Sequence, residues 1–236
     1  MSKRNILIIG ASRGIGFGIT EKLIEEGNNV YTLCRTKYDD LLLTGKDKII
    51  KHFEYDVTND FVLTGLPETL DCLIYCPGNI NLKPFPRLKI QDFYDDINLN
   101  LFGAIKILHQ TINLLKKGNN PSVLMFSSVA VKLGMSYHTS TSASKSAVEG
   151  FIKSLASEYA PTIRFNAIAP SLTDTPLASQ LLSNEEKRKQ LADRNPLKRI
   201  GRVEDIVEMS LFLTSDKATY ISGQIIAVDG GMNTLK

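Results

Sequence analysis

The sequence predicts a single doubly wound α/β domain, with seven parallel strands in one sheet and helices on both faces. Three observations carry that expectation. Short apolar runs alternate with longer stretches of helical periodicity, the pattern of repeated strand-helix units. The runs are apolar or β-branched nearly throughout, as strands buried on both faces must be. No repeat, low-complexity tract or Pro/Ser-rich linker divides the 236 residues, so one domain spanning 1–236 is expected.

The first strand is expected at Asn5 to Ile9, followed by a glycine-rich turn and an amphipathic helix near Ile15 to Glu26. Asn29 to Cys34 and Ile49 to Glu54 read as the second and third strands, and Cys72 to Tyr75 as the fourth. Between the last two, Thr58 to Leu70 holds Gly65, Pro67 and no sustained apolar stripe, so one helical turn plus loop is expected there. A long helix near Ile90 to Lys117 leads to the fifth strand at Ser122 to Phe126, and a helix at Ser142 to Tyr159 leads to the sixth at Ile163 to Ile168. Helices near Asn184 to Arg194 and Val203 to Thr214 precede the last strand, Gln224 to Val228. The insertion between Pro170 and Gly201 carries Leu177, Leu181, Leu182 and Leu191 at helical spacing, and two readings stand: a mobile lid over a pocket near 171–201, or an ordinary surface helix.

Bulk properties narrow the function classes. The chain is 43% hydrophobic and 22% charged, with a formal net charge of +3, too small and too dispersed to argue for nucleic acid. Its densest basic run, Lys187 to Lys189 and Lys198 to Arg202, is interrupted by Glu185, Glu186 and Asp193. Three cysteines, Cys34, Cys72 and Cys76, are odd in number and lack metal-ligand spacing with histidine, which argues against a disulfide scaffold and against a metal site. Only Ile6 to Ile9 are apolar near the N-terminus, so no membrane association is expected and the protein should be cytoplasmic.

Gly10-Ala-Ser12-Arg13-Gly14-Ile15-Gly16 follows an apolar strand and opens a helix, the context that makes a glycine pattern a phosphate-binding site. Gly10 permits the tight turn, Gly14 lets backbone approach a pyrophosphate, and Gly16 brings helix and sheet together. The helix N-terminus adds N–H donors and partial positive charge.

With its later motifs, this loop resembles that of the short-chain dehydrogenase/reductase family, and the resemblance spans essentially the whole chain. Its pieces are Gly-x-x-x-Gly-x-Gly, Asp56-Val57, Gly78, Asn100-Leu-Phe-Gly103, Ser127-Ser128, Lys145, Arg164-Phe-Asn166, Pro170, Thr175 and the stretch from Ser222 to Gly231. The resemblance implies a Rossmann-type fold, an NAD(P)-dependent oxidoreductase acting on a carbonyl or alcohol, similar to 3-oxoacyl-thioester reductases, and a homodimer or homotetramer paired through the two long helices. It further implies that Asp56 accepts from the adenine amino group beside Val57, that Gly78 lies under the ribose, and that Pro170, Leu172 and Thr175 hold the nicotinamide end. Charge then favours NADP over NAD. After the second strand the chain offers Cys34-Arg35-Thr36-Lys37, with Arg13 already in the loop, and a 2′-phosphate wants cations and hydroxyls. The alternative is that Asp39 or Asp40 folds back to the ribose of NAD.

The family uses a serine and a tyrosine to polarise the carbonyl, a lysine four residues after the tyrosine, and an asparagine in a proton relay. Ser128, Lys145 and Asn100 match, but Thr141 stands in the tyrosine's place. An aliphatic hydroxyl orients a carbonyl but is far too weak an acid to protonate it well. Two neighbours are candidate substitutes. Tyr137 precedes Thr141 by four residues, so a helix beginning one turn early would aim its hydroxyl into the same cleft; His138 precedes Lys145 by seven. The alternatives are that both merely line a pocket or pack a subunit contact, and that the chain is a dinucleotide-binding module that has lost turnover.

Overall fold

The computed structural model describes residues 3–235. Seven parallel strands form one sheet in the order β3-β2-β1-β4-β5-β6-β7, so the chain winds outward in both directions from a centre at β1 and β4. The strands are β1 (Asn5–Ile9), β2 (Asn29–Cys34), β3 (Ile49–Glu54), β4 (Cys72–Tyr75), β5 (Ser122–Phe126), β6 (Arg164–Pro170) and β7 (Ile225–Val228). Five coincide with the sequence expectation, β6 starts one residue later and ends two later, and β7 starts one later.

One face carries α1 (Gly14–Glu25) packed on α7 (Val203–Thr214), over a core of Ile6, Ile8, Ile19, Ile74, Leu124 and Ile206. The other carries α2 (Ile90–Ile97), α3 (Gly103–Leu115) and α5 (Thr139–Tyr159), over Leu7, Leu73, Ile107, Val123, Ile152 and Phe165. Alternate residues of β1 thus feed opposite cores. Short α4 (Ala130–Leu133) follows β5, and α6 (Glu185–Asp193) lies in the insertion.

Two expectations fail for local reasons. Thr58 to Leu70 contains no helical turn. Its loop is held instead by Gln110 of α3, whose side chain accepts from Leu63 N–H (2.8 Å) and donates to the Phe61 carbonyl (3.2 Å). The helix expected from Ile90 to Lys117 is interrupted by a π-turn at Asn98–Phe102. There Asn100 Nδ2 takes the Asp96 carbonyl at 2.8 Å, competing with the backbone ladder. Tyr75 hydroxyl donates to the Leu99 carbonyl of the same turn at 2.6 Å, and a side chain at Gly103 would overlap that hydroxyl.

The last strands are fastened by Arg164 and Asn166. Buried Arg164 Nη1 donates to the carbonyls of Leu213 (2.8 Å) and Ala218 (2.9 Å), and its Nη2 to that of Ser215 (3.2 Å), tying the C-terminal end of α7 to the 3-10 turn that follows it. Asn166 Nδ2 donates to the Ile221 carbonyl at 2.9 Å and its Oδ1 accepts from Gln224 N–H at 3.0 Å, setting the register of β7. No helix among the described residues is long and apolar enough to cross a membrane.

Candidate active site

The carboxyl ends of the parallel strands open into two adjoining cavities, where ligands bind in doubly wound sheets. The first, of about 400 Å³, is lined by Gly10, Ser12, Arg13, Gly14, Ile15, Gly16, Arg35, Thr36, Asp56, Val57 and Gly78. The second, of about 630 Å³, holds Ser128, Tyr137, His138, Thr141, Lys145, Pro170 and Leu172. Gly78, Ile15, Cys76 and Thr175 border both, so a long ligand in the first cavity passes over Gly78 into the second.

The first cavity fits a dinucleotide on its own chemistry. Arg13, the residue before α1, makes no side-chain cap, and the first turn carries no acidic residue, so the N–H groups at the helix start face the cleft without a protein partner. Gly16 permits this because a Cβ there would overlap the Gly10 carbonyl oxygen. At the far end, Asp56 Oδ1 accepts from the Thr58 N–H (2.9 Å) and hydroxyl (2.7 Å), and Oδ2 lies 3.7 Å from Arg35 Nη1. Burial works to raise the Asp56 pKa, but the two Thr58 bonds and the Arg35 charge together hold it below the usual carboxylate value. Asp39 and Asp40 are exposed and line neither cavity.

The junction is built around Lys145. Its ammonium is buried and donates to the Phe126 carbonyl at 2.9 Å. Burial lowers its pKa to about 8 against weaker raising effects from Cys76 and Asp96. Asn100 is equally buried: its Nδ2 donates to Asp96 O, Asn79 Oδ1 (3.2 Å) and Ser144 Oγ (3.2 Å), while its Oδ1 has no hydrogen-bond partner. Lys145 Nζ and Asn100 Oδ1 both lie against Gly78, each 3.4 Å from where a Cβ would stand. A buried acceptor with no hydrogen-bond partner is costly unless a ligand or water donates to it, which makes this point a candidate site.

Ser128 Oγ accepts from Ala130 N–H at 3.2 Å, which leaves its own proton free for a ligand. Neighbouring Ser127 donates to the buried Glu149 carboxylate at 2.6 Å and so anchors the end of β5. Buried Thr141 directs its hydroxyl at the Asn81 carbonyl, 3.5 Å away. Tyr137 is not one turn above it. Helix α5 begins at Thr139, and Tyr137 is 58% exposed with a left-handed φ of 68°, so the four-residue helical spacing does not hold. His138, the residue before α5, bonds the Ser136 carbonyl through Nδ1 at 2.8 Å.

The insertion after β6 is closed at its base by a bridge between Thr173 and Gly201 and by the Arg188–Asp174 ion pair at 2.7 Å. Leu177, Leu181 and Leu191 face the larger cavity, whereas Leu182 is buried. Sequence reasoning missed Asn79 and Asp96, which hold the Asn100 amide; their side chains hydrogen-bond each other. The available signal was Asn79 directly after Gly78.

Comparison with known proteins agrees with this geometry. The profile of the enoyl-(acyl carrier protein) reductase family matches residues 10–233. A 3-oxoacyl-[acyl-carrier-protein] reductase of Buchnera aphidicola is 34% identical, covering 98% of each chain. A tropinone reductase homologue of Arabidopsis thaliana is 31% identical over 97% of this chain and 92% of its own. Among solved structures, the ligand-free aldohexose dehydrogenase of Thermoplasma acidophilum superposes with a TM-score of 0.86 at 26% identity, covering 99% of this chain and 95% of that one. Fold, loop chemistry and full-length relatives converge: the chain belongs to the short-chain dehydrogenase/reductase family of oxidoreductases.

Proposed function

We propose that the protein is an NADP-dependent oxidoreductase that interconverts a carbonyl and an alcohol, with a 3-oxoacyl-thioester-like compound as the substrate type. The observation that carries this reading is the meeting of the two cavities at Gly78, where buried Lys145 and unpaired Asn100 Oδ1 face one point. Bound NADPH would supply the hydride; the protein supplies placement and the proton. Gly14 to Gly16 would hold the pyrophosphate, and Arg35, Arg13 and Thr36 would take the 2′-phosphate. Asp56 and Val57 would take the adenine, Lys145 the nicotinamide ribose, and Pro170, Leu172 and Thr175 the ring.

In the larger cavity Ser128 donates to the carbonyl oxygen and Thr141 orients it. Thr141 fills the position where the family's tyrosine would donate the proton. Of the titratable groups lining that cavity, we assign the proton to Lys145, whose buried ammonium has its pKa lowered to about 8 and stands at the junction with the first cavity. Tyr137, exposed and outside α5, borders the substrate instead.

A second reading is favoured by the same threonine: a module that binds NADP without turnover. The two separate by assaying NADPH and NADH oxidation against ketones, 3-oxoacyl thioesters and enoyl thioesters, with wild type and Thr141→Tyr. Turnover of a carbonyl substrate by wild type supports the enzyme. Tight NADPH binding with no turnover, and activity gained only in Thr141→Tyr, supports the module.

A further inference from the structure

The larger cavity is strongly apolar where it leaves Ser128 and Lys145, walled by Ile80, Leu82, Met135, Leu181, Leu191 and Ile200. Its charged lining is one-sided. Among the described residues no Asp or Glu borders it, while Lys145, Arg194 and Arg199 do. The three cations differ in what satisfies them. Lys145 belongs to the reaction centre, and Arg199 is held by both oxygens of Asp205, at 2.5 and 2.8 Å. Arg194, at the C-terminal end of α6, makes no side-chain hydrogen bond and no ion pair with the described residues, and it is exposed on the cavity wall.

We propose that Arg194 is a specificity-determining residue that binds an anionic group on the substrate, a carboxylate or phosphate separated from the reacting carbonyl by an apolar segment. The proposal rests on the carbonyl-reductase reading for the word substrate, but its charge logic concerns binding alone. A guanidinium on a residue that lines an apolar cavity and has no carboxylate partner among the described residues offers a forked donor to an anion, and an uncompensated positive field repels a cationic ligand. The apolar wall contributes affinity without regard to charge, so the sign of the ligand's end group decides between otherwise equal chains. On this view ketones bearing an ammonium group are excluded by the protein and those bearing an anion are selected.

The test uses the full chain, with and without saturating NADP, and three probes of one length: decanoate, decanamide and decylammonium, with dissociation constants read by calorimetry at low and high salt. Wild type should bind decanoate at least tenfold more tightly than decanamide, and decylammonium most weakly, with the preference shrinking as salt rises. Arg194→Gln should erase the decanoate preference while leaving decanamide affinity within about twofold, and Arg194→Glu should reverse the order of the two charged probes. Equal binding of decanoate and decanamide by wild type overturns the proposal, as does a preference that survives Arg194→Gln and is lost only in Lys145→Met. Unchanged melting temperatures for both Arg194 variants show that the exposed residue acts on the ligand rather than on the fold. Hydride transfer is measured separately, so a protein that binds decanoate through Arg194 yet turns over nothing contradicts the enzyme reading alone.

Discussion

Asn100 Nδ2 donates to the carbonyl oxygen of Asp96 at 2.8 Å, one turn back on the same helix, and this bond links fold to chemistry. It draws a backbone acceptor out of the helical ladder, opens the π-turn, and turns Asn100 Oδ1 toward the space shared with Lys145. Asn100→Asp keeps the side chain's size, gives up the amide donor to the Asp96 carbonyl, and places a carboxylate on the Gly78 side shared with the ammonium. A negative neighbour favours the charged amine, so the Lys145 pKa should rise. The alkaline limb of the pH–rate profile for ketone reduction should move upward by about one unit. An unmoved limb in this variant, with activity retained, would separate Asn100 from the proton path.

Lys145 gives the wild-type profile its sign. With Lys145 as the proposed acid, reduction requires the ammonium, so kcat/KM should fall as pH rises through about 8, and the oxidative direction should gain over the same interval. Tyr137→Phe should leave both limbs in place and change kcat less than threefold, because that ring borders the cavity rather than serving as the acid. A tenfold or greater loss of kcat in Tyr137→Phe would transfer the role to tyrosine.

The same burial affects stability. A folded-state pKa near 8 against an ordinary lysine value of 10.5 means that the unfolded chain holds more protons between those limits, so this group's penalty is full below about pH 8 and disappears by about 10.5. The penalty is on the order of 3 kcal/mol, and losing the Phe126 hydrogen bond offsets about 1 of it, so Lys145→Met should melt roughly 4–8 °C above wild type at pH 7. That difference should shrink as pH rises toward 10.5. Thermal scans of the two proteins across pH 6.5 to 10.5 check both the sign and the interval.

Arg35 directly follows β2 and lines the first cavity, with its Nη1 3.7 Å from Asp56 Oδ2; in the proposed function it takes the 2′-phosphate. Arg35→Ala should weaken NADPH about tenfold to a hundredfold, the worth of a charge-assisted phosphate contact, and leave NADH within about threefold. Equal losses for the two nucleotides would place the 2′-phosphate elsewhere.

Arg164 tests the frame rather than the site. Arg164→Met removes three well-formed hydrogen bonds to carbonyls at the end of α7 and in the 3-10 turn that follows it and strands those acceptors in the interior, a change that costs on the order of 3 kcal/mol and about 10 °C in melting temperature. Nucleotide affinity below the transition should be unaffected.

Most of the sheet is legible in the sequence because each strand is a short unbroken apolar run closed by polar or turn residues, a signal that needs no partner to be read. The glycine loop is legible for the same reason: Gly10, Gly14 and Gly16 act within one turn. What escapes comes from distant pairs. The break at Asn98–Phe102 depends on a side chain outcompeting the ladder, and Ile90 to Lys117 keeps helical periodicity straight through it. The loop of Thr58 to Leu70 is shaped by Gln110, about fifty residues downstream. Tyr137 illustrates the limit at the site, where a four-residue interval implied a shared helix face and a single left-handed residue removed it. Arg194 was invisible for another reason, since only the folded chain shows that Asp205 satisfies Arg199 and that no described carboxylate reaches Arg194.

The central claim is that hydride passes at the junction of the two cavities. It is tested most directly by single-turnover reactions with 4-deuterated NADPH of each stereochemistry, read by mass spectrometry of 3-oxoacyl-thioester and aryl-ketone products. The prediction is deuterium on the carbinol carbon from one of the two labelled faces, with the signal lost in Lys145→Met and Ser128→Ala. Saturating NADPH binding with no deuterium in any product would contradict it.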